Sequence, residues 1–356
     1  MNLTEKQKKI VEAKEPYIVV QSAAGSGKTR CLVERIKYLL KNGYKGEDIV
    51  AITFTNAAAE EIMERVGRPQ GLFVGTIHSL AARFLRAYGV DTSKAIEQEK
   101  FDDLFEMVKK HPDCIQPVRY MLIDETQDSP PNQFEFMLDM IQPEKWMIFF
   151  DARQCIYRFN QADPDYIFDI MDRPDVTIYQ LNENFRCGGN ILNFARRIAR
   201  GIGVDYTDNS ITRAPVMGDV WEEELNLHLL VEYIKMFHDK GYNYGDWFIL
   251  CRKNEQVQEV LDFLKRAKIP NDSFRRADLD RAEFLQRMKQ DSVKVLTVHQ
   301  AKGLENKCVV VIGAQFYNIE EQCISYVAAT RAKILLIWTQ IPKKKKKKKK
   351  EVVNWE

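Results

Sequence analysis

Metal-binding and disulfide-forming residues are sparse in this chain. It has five histidines and seven cysteines in 356 residues. Cys31, Cys114, Cys155, Cys187, Cys251, Cys308 and Cys323 form no CxxC pair, and their spacing matches no zinc or iron–sulfur pattern. An odd number of scattered thiols also speaks against a disulfide framework and suits a reducing compartment. Long apolar runs are missing too. VRYMLID and KCVVVIGA are far shorter than a membrane span, and MNLTEKQKK has no apolar leader core. The expectation is a soluble, cytoplasmic protein with no membrane association. Charge of one sign is scarce overall, at a net +2, but it is unevenly placed. Lys343–Lys350 supply eight positive charges and Glu351 and Glu356 remove two, so residues 1–342 carry −4. A mildly acidic body needs a local groove to grip any polyanion. The lysine run itself cannot bury its charges. It reads either as a phosphate tether or as an inert tail.

With 45% apolar and 29% charged residues, the composition is globular, and the length allows two to three domains. Apolar periodicity predicts strands at 17–21, 49–54, 73–76, 120–123, 146–150 and 177–181 in the first half. Helices lie between them, including 95–111 and 130–141. The second half repeats the style. Helices are expected at 189–200, 223–240, 255–267 and 320–332, strands at 247–251, 293–298, 308–312 and 334–339, and a loop at 207–219. Strands alternating with helices predict an α/β fold with parallel sheets.

Ala23-Ala24-Gly25-Ser26-Gly27-Lys28-Thr29 follows the first strand and opens a helix. Glycines there let backbone N–H groups face a phosphate, and the helix N-terminus adds partial positive charge. Ala24, Gly25, Ser26 and Gly27 are therefore phosphate-cradle candidates. Lys28 is placed to reach the β- and γ-phosphates of ATP, and Thr29 to ligate Mg²⁺. Ser22 stands where the strict loop pattern has glycine. Asp124 and Glu125 end the strand 120–123. Asp124 suits the Mg²⁺ shell and Glu125 the polarisation of an attacking water.

Eight short strings then fall in one order. They are LTEKQ (3–7), TFTNAAAEEI (53–62), GTIHSLA (75–81), IDETQD (123–128), DARQCIYRF (151–159), LNENFR (181–186), TVHQAKGLE (297–305) and YVAATRA (326–332). In this the chain resembles the UvrD/Rep/PcrA-like superfamily 1A DNA helicases, from Leu3 to about Trp338. The resemblance implies two RecA-like motor domains, 1–187 and 188–342, closing on ATP, with a lysine-rich tail at 343–356. It implies a helicase or translocase that moves 3′→5′ on single-stranded DNA, though no residue excludes RNA. Gln7 corresponds to the adenine reader and Phe185 to a ring stacked on adenine. Gln154 corresponds to a γ-phosphate sensor, and Arg186 and Arg331 to the two arginines that clamp the γ-phosphate. Arg30 and Glu305 match nucleotide-proximal positions. Thr55, Asn56, His78, Tyr157, Phe159 and His299 match strand-contacting positions.

The chain also departs from that pattern. Asn160 replaces an arginine, Gln161 a glycine, and Asn306 an aromatic. Only about forty residues separate GTIHS from IDETQD, and about a hundred separate LNENFR from TVHQAKGLE. The helical accessory insertion, expected at 79–118, is therefore reduced. Translocation is better supported than processive unwinding, and a partner protein could supply duplex contacts. The alternative reading is a nucleic-acid-stimulated ATPase serving as a sensor or regulatory subunit of a repair or antiviral complex.

Overall fold

The computed structural model describes residues 2–157, 165–200, 202, 211–224, 226–275, 279–313 and 318–339. The expectations for Phe159, Asn160, Gln161 and the lysine run lie outside the described residues.

Runs of apolar, β-branched and aromatic residues make strands that are covered on both faces, as parallel sheets require. β1 (Tyr17–Ser22), β2 (Ile49–Ile52), β3 (Phe73–Gly75), β4 (Tyr120–Ile123), β5 (Lys145–Phe150) and β6 (Val176–Leu181) form a six-stranded sheet in the order β3-β2-β4-β5-β1-β6. Every pairing in it is parallel. β7 (Glu183–Asn184) and β8 (Ile211–Thr212) make a small parallel ribbon. β9 (Asp219–Glu223), β10 (Trp247–Cys251), β11 (Asn271–Asp272), β12 (Val293–Thr297), β13 (Asn306–Ile312) and β14 (Ala332–Thr339) form a second parallel sheet, ordered β11-β12-β10-β13-β14-β9. The α/β class with two RecA-like parallel sheets is as expected.

Each sheet is sandwiched between two apolar clusters. One of them crosses between the halves. It joins Ala24 of the glycine loop and Ile156 to Leu304, Tyr326 and Ala329 from the second sheet's side. All seven cysteines are buried and none forms a disulfide. Among the described residues no helix is long and apolar enough to cross a membrane.

Four local expectations need correction. The helix expected over 95–111 is two short ones, Ser93–Glu97 and Asp103–Lys110. Glu99 breaks it by taking a left-handed φ of 53°, and the run QEKFDD offers no apolar stripe to hold a continuous helix. The helix over 130–141 widens into a π-turn at Glu135–Met140, where Ile141 N–H donates to Phe136 O at 3.1 Å. Phe134, Phe136 and Met137 are all buried along this stretch. The third correction is Asp219–Glu223, which is an edge strand, so the next helix begins only at Leu227. The sequence DVWEE is too polar to announce it. Last, Ile211–Thr212 in the expected loop is strand β8.

Candidate functional site

The first sheet gathers its chemical residues at the carboxyl ends of its strands, where open α/β sheets bind ligands. The glycine loop leaves β1, Thr53–Asn56 leaves β2, Thr76 follows β3, Asp124–Glu125 ends β4, and Gln154 follows β5. On the second sheet the placement divides. Glu305 and Arg331 precede β13 and β14, whereas Arg252 and His299 follow β10 and β12.

Gly25 and Gly27 take φ of +69° and +86°, a region that only glycine enters cheaply. At Gly25 there is a second reason. A Cβ there would lie 2.8 Å from Arg186 Cβ and 3.0 Å from Asn184 Nδ2. The LNENFR segment thus rests on the glycine loop. Asn184 Nδ2 donates to Ala24 O at 2.6 Å, and Phe185 N–H donates to Gly25 O at 2.9 Å. On the other flank, Gln7 closes a capping box with Thr4 and donates from Nε2 to Ser26 O at 3.1 Å. The Ser26 hydroxyl is buried with no hydrogen-bond partner among the described residues. A buried hydroxyl of this kind calls for an acceptor, and a phosphate oxygen would serve.

Lys28 is buried and pairs with Glu125 Oε1 at 3.4 Å. Glu125 takes a left-handed backbone, φ 55° and ψ 36°, which is costly for a long side chain. Its carboxylate accepts from Gln127 Nε2, and Gln127 Oε1 accepts from Asp151 N–H at 3.1 Å. Asp124 Oδ1 accepts from Glu125 N–H at 3.0 Å. Burial and the neighbouring Glu125 push the Asp124 carboxyl up. Burial pushes Glu125 up too, but Lys28 and Lys302 outweigh it and hold this carboxyl down. The pair thus resolves into one stable carboxylate, Glu125, and one neighbour, Asp124, that gains from a cation. Thr29 lies next to Lys28 in the first helical turn. Among the described residues no cluster of three or more His, Cys, Asp or Glu could hold a metal alone.

Gln154 donates from Nε2 to Asp151 Oδ2 at 2.6 Å. Arg186 forms an ion pair with Glu305 and donates to Thr330 O at 3.3 Å; Glu305 also pairs with Lys333 at 2.8 Å. Arg331 is only 1% exposed. It donates to Val327 O, Leu304 O and Thr330 Oγ1 at 2.9, 3.1 and 3.2 Å. Burial and Arg186 lower its affinity for the proton, and its charge helps hold Glu125 ionised. Lys28, Glu125, Gly25, Arg186 and Arg331 therefore share one neighbourhood. Phe185 is 37% exposed beside the loop, and Arg30 lies in the helix that Lys28 opens.

The expected strand contacts fall into two groups. Tyr157 stacks on Phe54 (centroids 5.1 Å apart, 29° between planes) and meets the edge of His299 at 5.7 Å. His299 Nε2 also lies 3.1 Å from Ile156 O. Thr55 caps the helix Asn56–Val66 by accepting from Ala58 N–H at 3.2 Å, so its hydroxyl has a structural duty. His78 stands apart, stacked on Phe105 at 5.1 Å and 3.5 Å from Asp102. Burial lowers the pKa of both histidines, which leaves neutral rings near pH 7. Asn56 and His78 line one cavity of about 260 Å³, together with Asp124 and Glu125.

Sequence reasoning missed three residues here. Phe54 lies inside TFTN and is 45% exposed. Asn184, inside LNENFR, holds the glycine loop. Lys302, inside TVHQAKGLE, reaches across to the first sheet. There it pairs with Asp128, donates to Gln154 O at 2.8 Å, stands 3.9 Å from Glu125 and lies 5.3 Å from the Tyr157 ring centroid. Their membership of chemical motifs was the available signal.

The UvrD/REP helicase N-terminal domain matches residues 3–115 and 104–174, and the UvrD-like helicase C-terminal domain matches residues 271–343. A putative ATP-dependent DNA helicase of Acanthamoeba polyphaga mimivirus is 26% identical over 87% of this chain and 49% of its own length. The ATP-dependent DNA helicase Rep of Escherichia coli is 24% identical over 76% of this chain and 55% of its own length. DNA helicase II of the same organism is 36% identical over 37% of this chain. The chain spans about half the length of the mimivirus and Rep relatives.

Proposed function

The chain belongs to the UvrD/Rep helicase family, and we infer from that premise that it hydrolyses ATP to move along single-stranded DNA, 3′→5′. The observation that carries this reading is the seat of Asn184–Arg186 on the glycine loop, with Arg331 close enough to act on Glu125. A nucleotide bound at the loop would thus be met from both sheets.

Gln7 and Phe185 flank the loop to take the adenine. Gly25, Ser26 and Gly27 cradle phosphate, and Lys28 exchanges its Glu125 partner for phosphate oxygens. Thr29 and Asp124 would hold Mg²⁺, which neutralises charge on the phosphates when bound. Glu125, freed from Lys28 and kept ionised, accepts the proton of the attacking water. Arg186 leaves Glu305, and with Arg331 presents guanidinium forks to the terminal phosphate as charge develops there. Gln154, anchored on Asp151, reports the state of that phosphate to the adjoining Tyr157. Tyr157, Phe54 and His299 stack or support bases, which tolerates any sequence.

We place the motor domains at 1–187 and 188–342, with the reduced insertion at 79–118. Two short helices in that insertion give little surface for duplex, which favours translocation over processive unwinding. The test is ATP hydrolysis with and without single-stranded DNA, followed by unwinding of duplexes with 3′ or 5′ tails. DNA-stimulated hydrolysis with unwinding from a 3′ tail is expected. Stimulation without unwinding supports a sensor or regulatory ATPase, and absence of stimulation refutes the motor.

A further inference from the structure

Lys333 stands just past the YVAATRA string, outside all eight motifs, yet it shares a carboxylate with one of the two arginines assigned above to the terminal phosphate. Glu305 Oε2 pairs with Arg186 Nε, and Glu305 Oε1 pairs with Lys333 Nζ at 2.8 Å. The two cations therefore hold different oxygens, and neither has to displace the other. Burial pushes the Glu305 carboxyl up, but Arg186 and Lys333 outweigh it and hold it down to about 2. The backbone fixes all three residues on one frame. Glu305 precedes β13, Lys333 lies at the start of β14, and Asn306 N–H donates to Arg331 O at 3.0 Å where those strands meet. Lys333 O in turn accepts from Gly188 N–H at 3.0 Å, just beyond Arg186.

Arg186 already stands at the glycine loop. A Cβ on Gly25 would lie 2.8 Å from Arg186 Cβ, so only the guanidinium has to turn to meet a phosphate there. Glu305 restrains it, together with Thr330 O, which accepts from Nη1 at 3.3 Å. When the arginine turns, it leaves a carboxylate behind, and a carboxylate without a partner is costly in proportion to its burial. Lys333 stays on Oε1 and compensates that charge. It also loosens the grip of Glu305 on Arg186 beforehand, because two cations draw on one negative charge. Without Lys333 both effects reverse, and the arginine is held more tightly. We propose that Lys333 is a positioning residue for ATP hydrolysis, one that keeps Glu305 compensated while Arg186 turns to the terminal phosphate. This rests on the hydrolysis reading above and adds to it a residue that acts only through Glu305.

The test is phosphate release in a single turnover with single-stranded DNA present, where slow variants still give a rate. Lys333→Met is expected to slow that step about fivefold, which is ~1 kcal/mol at ~1.4 kcal/mol per tenfold and the upper end for an ion pair open to solvent. The side chains of Glu305 and Lys333 are each 39% exposed, which limits the effect to that size. ADP affinity should stay unchanged, because ADP offers Arg186 no γ-phosphate. Lys333→Arg, which keeps the charge, should keep the rate. In the Glu305→Gln background, Lys333→Met should cost nothing further, because no charge is left to share. A merely structural lysine would cost the same in both backgrounds. The assignment is overturned, with Arg186→Ala still impaired, by a Lys333→Met rate within about twofold of wild type. Equal losses in the two backgrounds, a matching loss of ADP affinity, or Lys333→Arg as slow as Lys333→Met overturn it too. Should Arg186→Ala release phosphate as fast as the wild type, the role given to Arg186 falls, and that of Lys333 with it.

Discussion

Lys302→Met tests whether the two halves are joined electrostatically through one buried ion pair. Lys302 leaves the second sheet and pairs with Asp128, whose side chain is 0% exposed. Asp128 Oδ1 has no hydrogen-bond partner among the described residues, so the lysine carries most of the compensation for this charge. Removing one member of such a pair leaves a buried charge uncompensated and costs ~3–5 kcal/mol. At ~2–4 °C per kcal/mol, that lowers the melting midpoint by roughly 6–20 °C. Asp128→Asn added to Lys302→Met should recover most of the loss, because no lone charge then remains. The pH dependence has a definite sign. Burial already pushes the Asp128 carboxyl up to about 6 with Lys302 in place, and without the lysine it rises further. For an acid raised by folding, the penalty is present above the folded value and disappears as pH falls toward the unfolded one. The deficit of Lys302→Met should therefore be largest near pH 8 and shrink on acidification toward pH 5. Calorimetric melting of the wild type, both single variants and the double variant at those two pH values decides it. A deficit below about 1 kcal/mol at pH 8, or a double variant no better than Lys302→Met, refutes the reasoning.

Three further outcomes are expected. Glu125→Gln should bind ATP while losing about 10²–10⁴-fold in turnover, as removal of a general base does; near-normal turnover in a steady-state assay removes Glu125 from the chemistry. Tyr157→Ala and Phe54→Ala should each weaken single-stranded DNA binding by ~1–3 kcal/mol. Because the rings stack on each other, the double variant in a titration should lose less than the sum. Gly25→Ala should keep the far-ultraviolet spectrum but depress ATP turnover, since a strain of ~1–3 kcal/mol falls where a Cβ meets Arg186; normal turnover would show that the LNENFR segment need not rest on the loop.

The proposed catalytic frame was largely legible in the residues. Lys28, Asp124 and Glu125 declare themselves because phosphate chemistry demands glycines and charges at strand ends, and such residues have few other uses there. Arg186 and Arg331 became readable only through the order of motifs, since an isolated arginine is ordinarily a surface charge. Phe54 was not singled out in the sequence, because one aromatic within TFTN has no period of its own and its stacking partner Tyr157 comes from a distant segment. The strand Asp219–Glu223 was missed for a related reason. An edge strand buries little, so it needs no apolar run. Lys302 was hidden by type, as lysines are usually solvated, and only the fold shows one held beneath an aromatic ring.

The sequestered thiols make this molecule convenient for optical work. All seven thiols are buried, and burial pushes Cys31, Cys251 and Cys308 up to about 12, so maleimide reagents meet little accessible thiolate in the folded protein. One cysteine introduced on the outer surface of each half would then be labelled without first stripping the native ones. A donor and acceptor dye placed that way could follow, molecule by molecule, how the distance between the halves changes as nucleotide comes and goes.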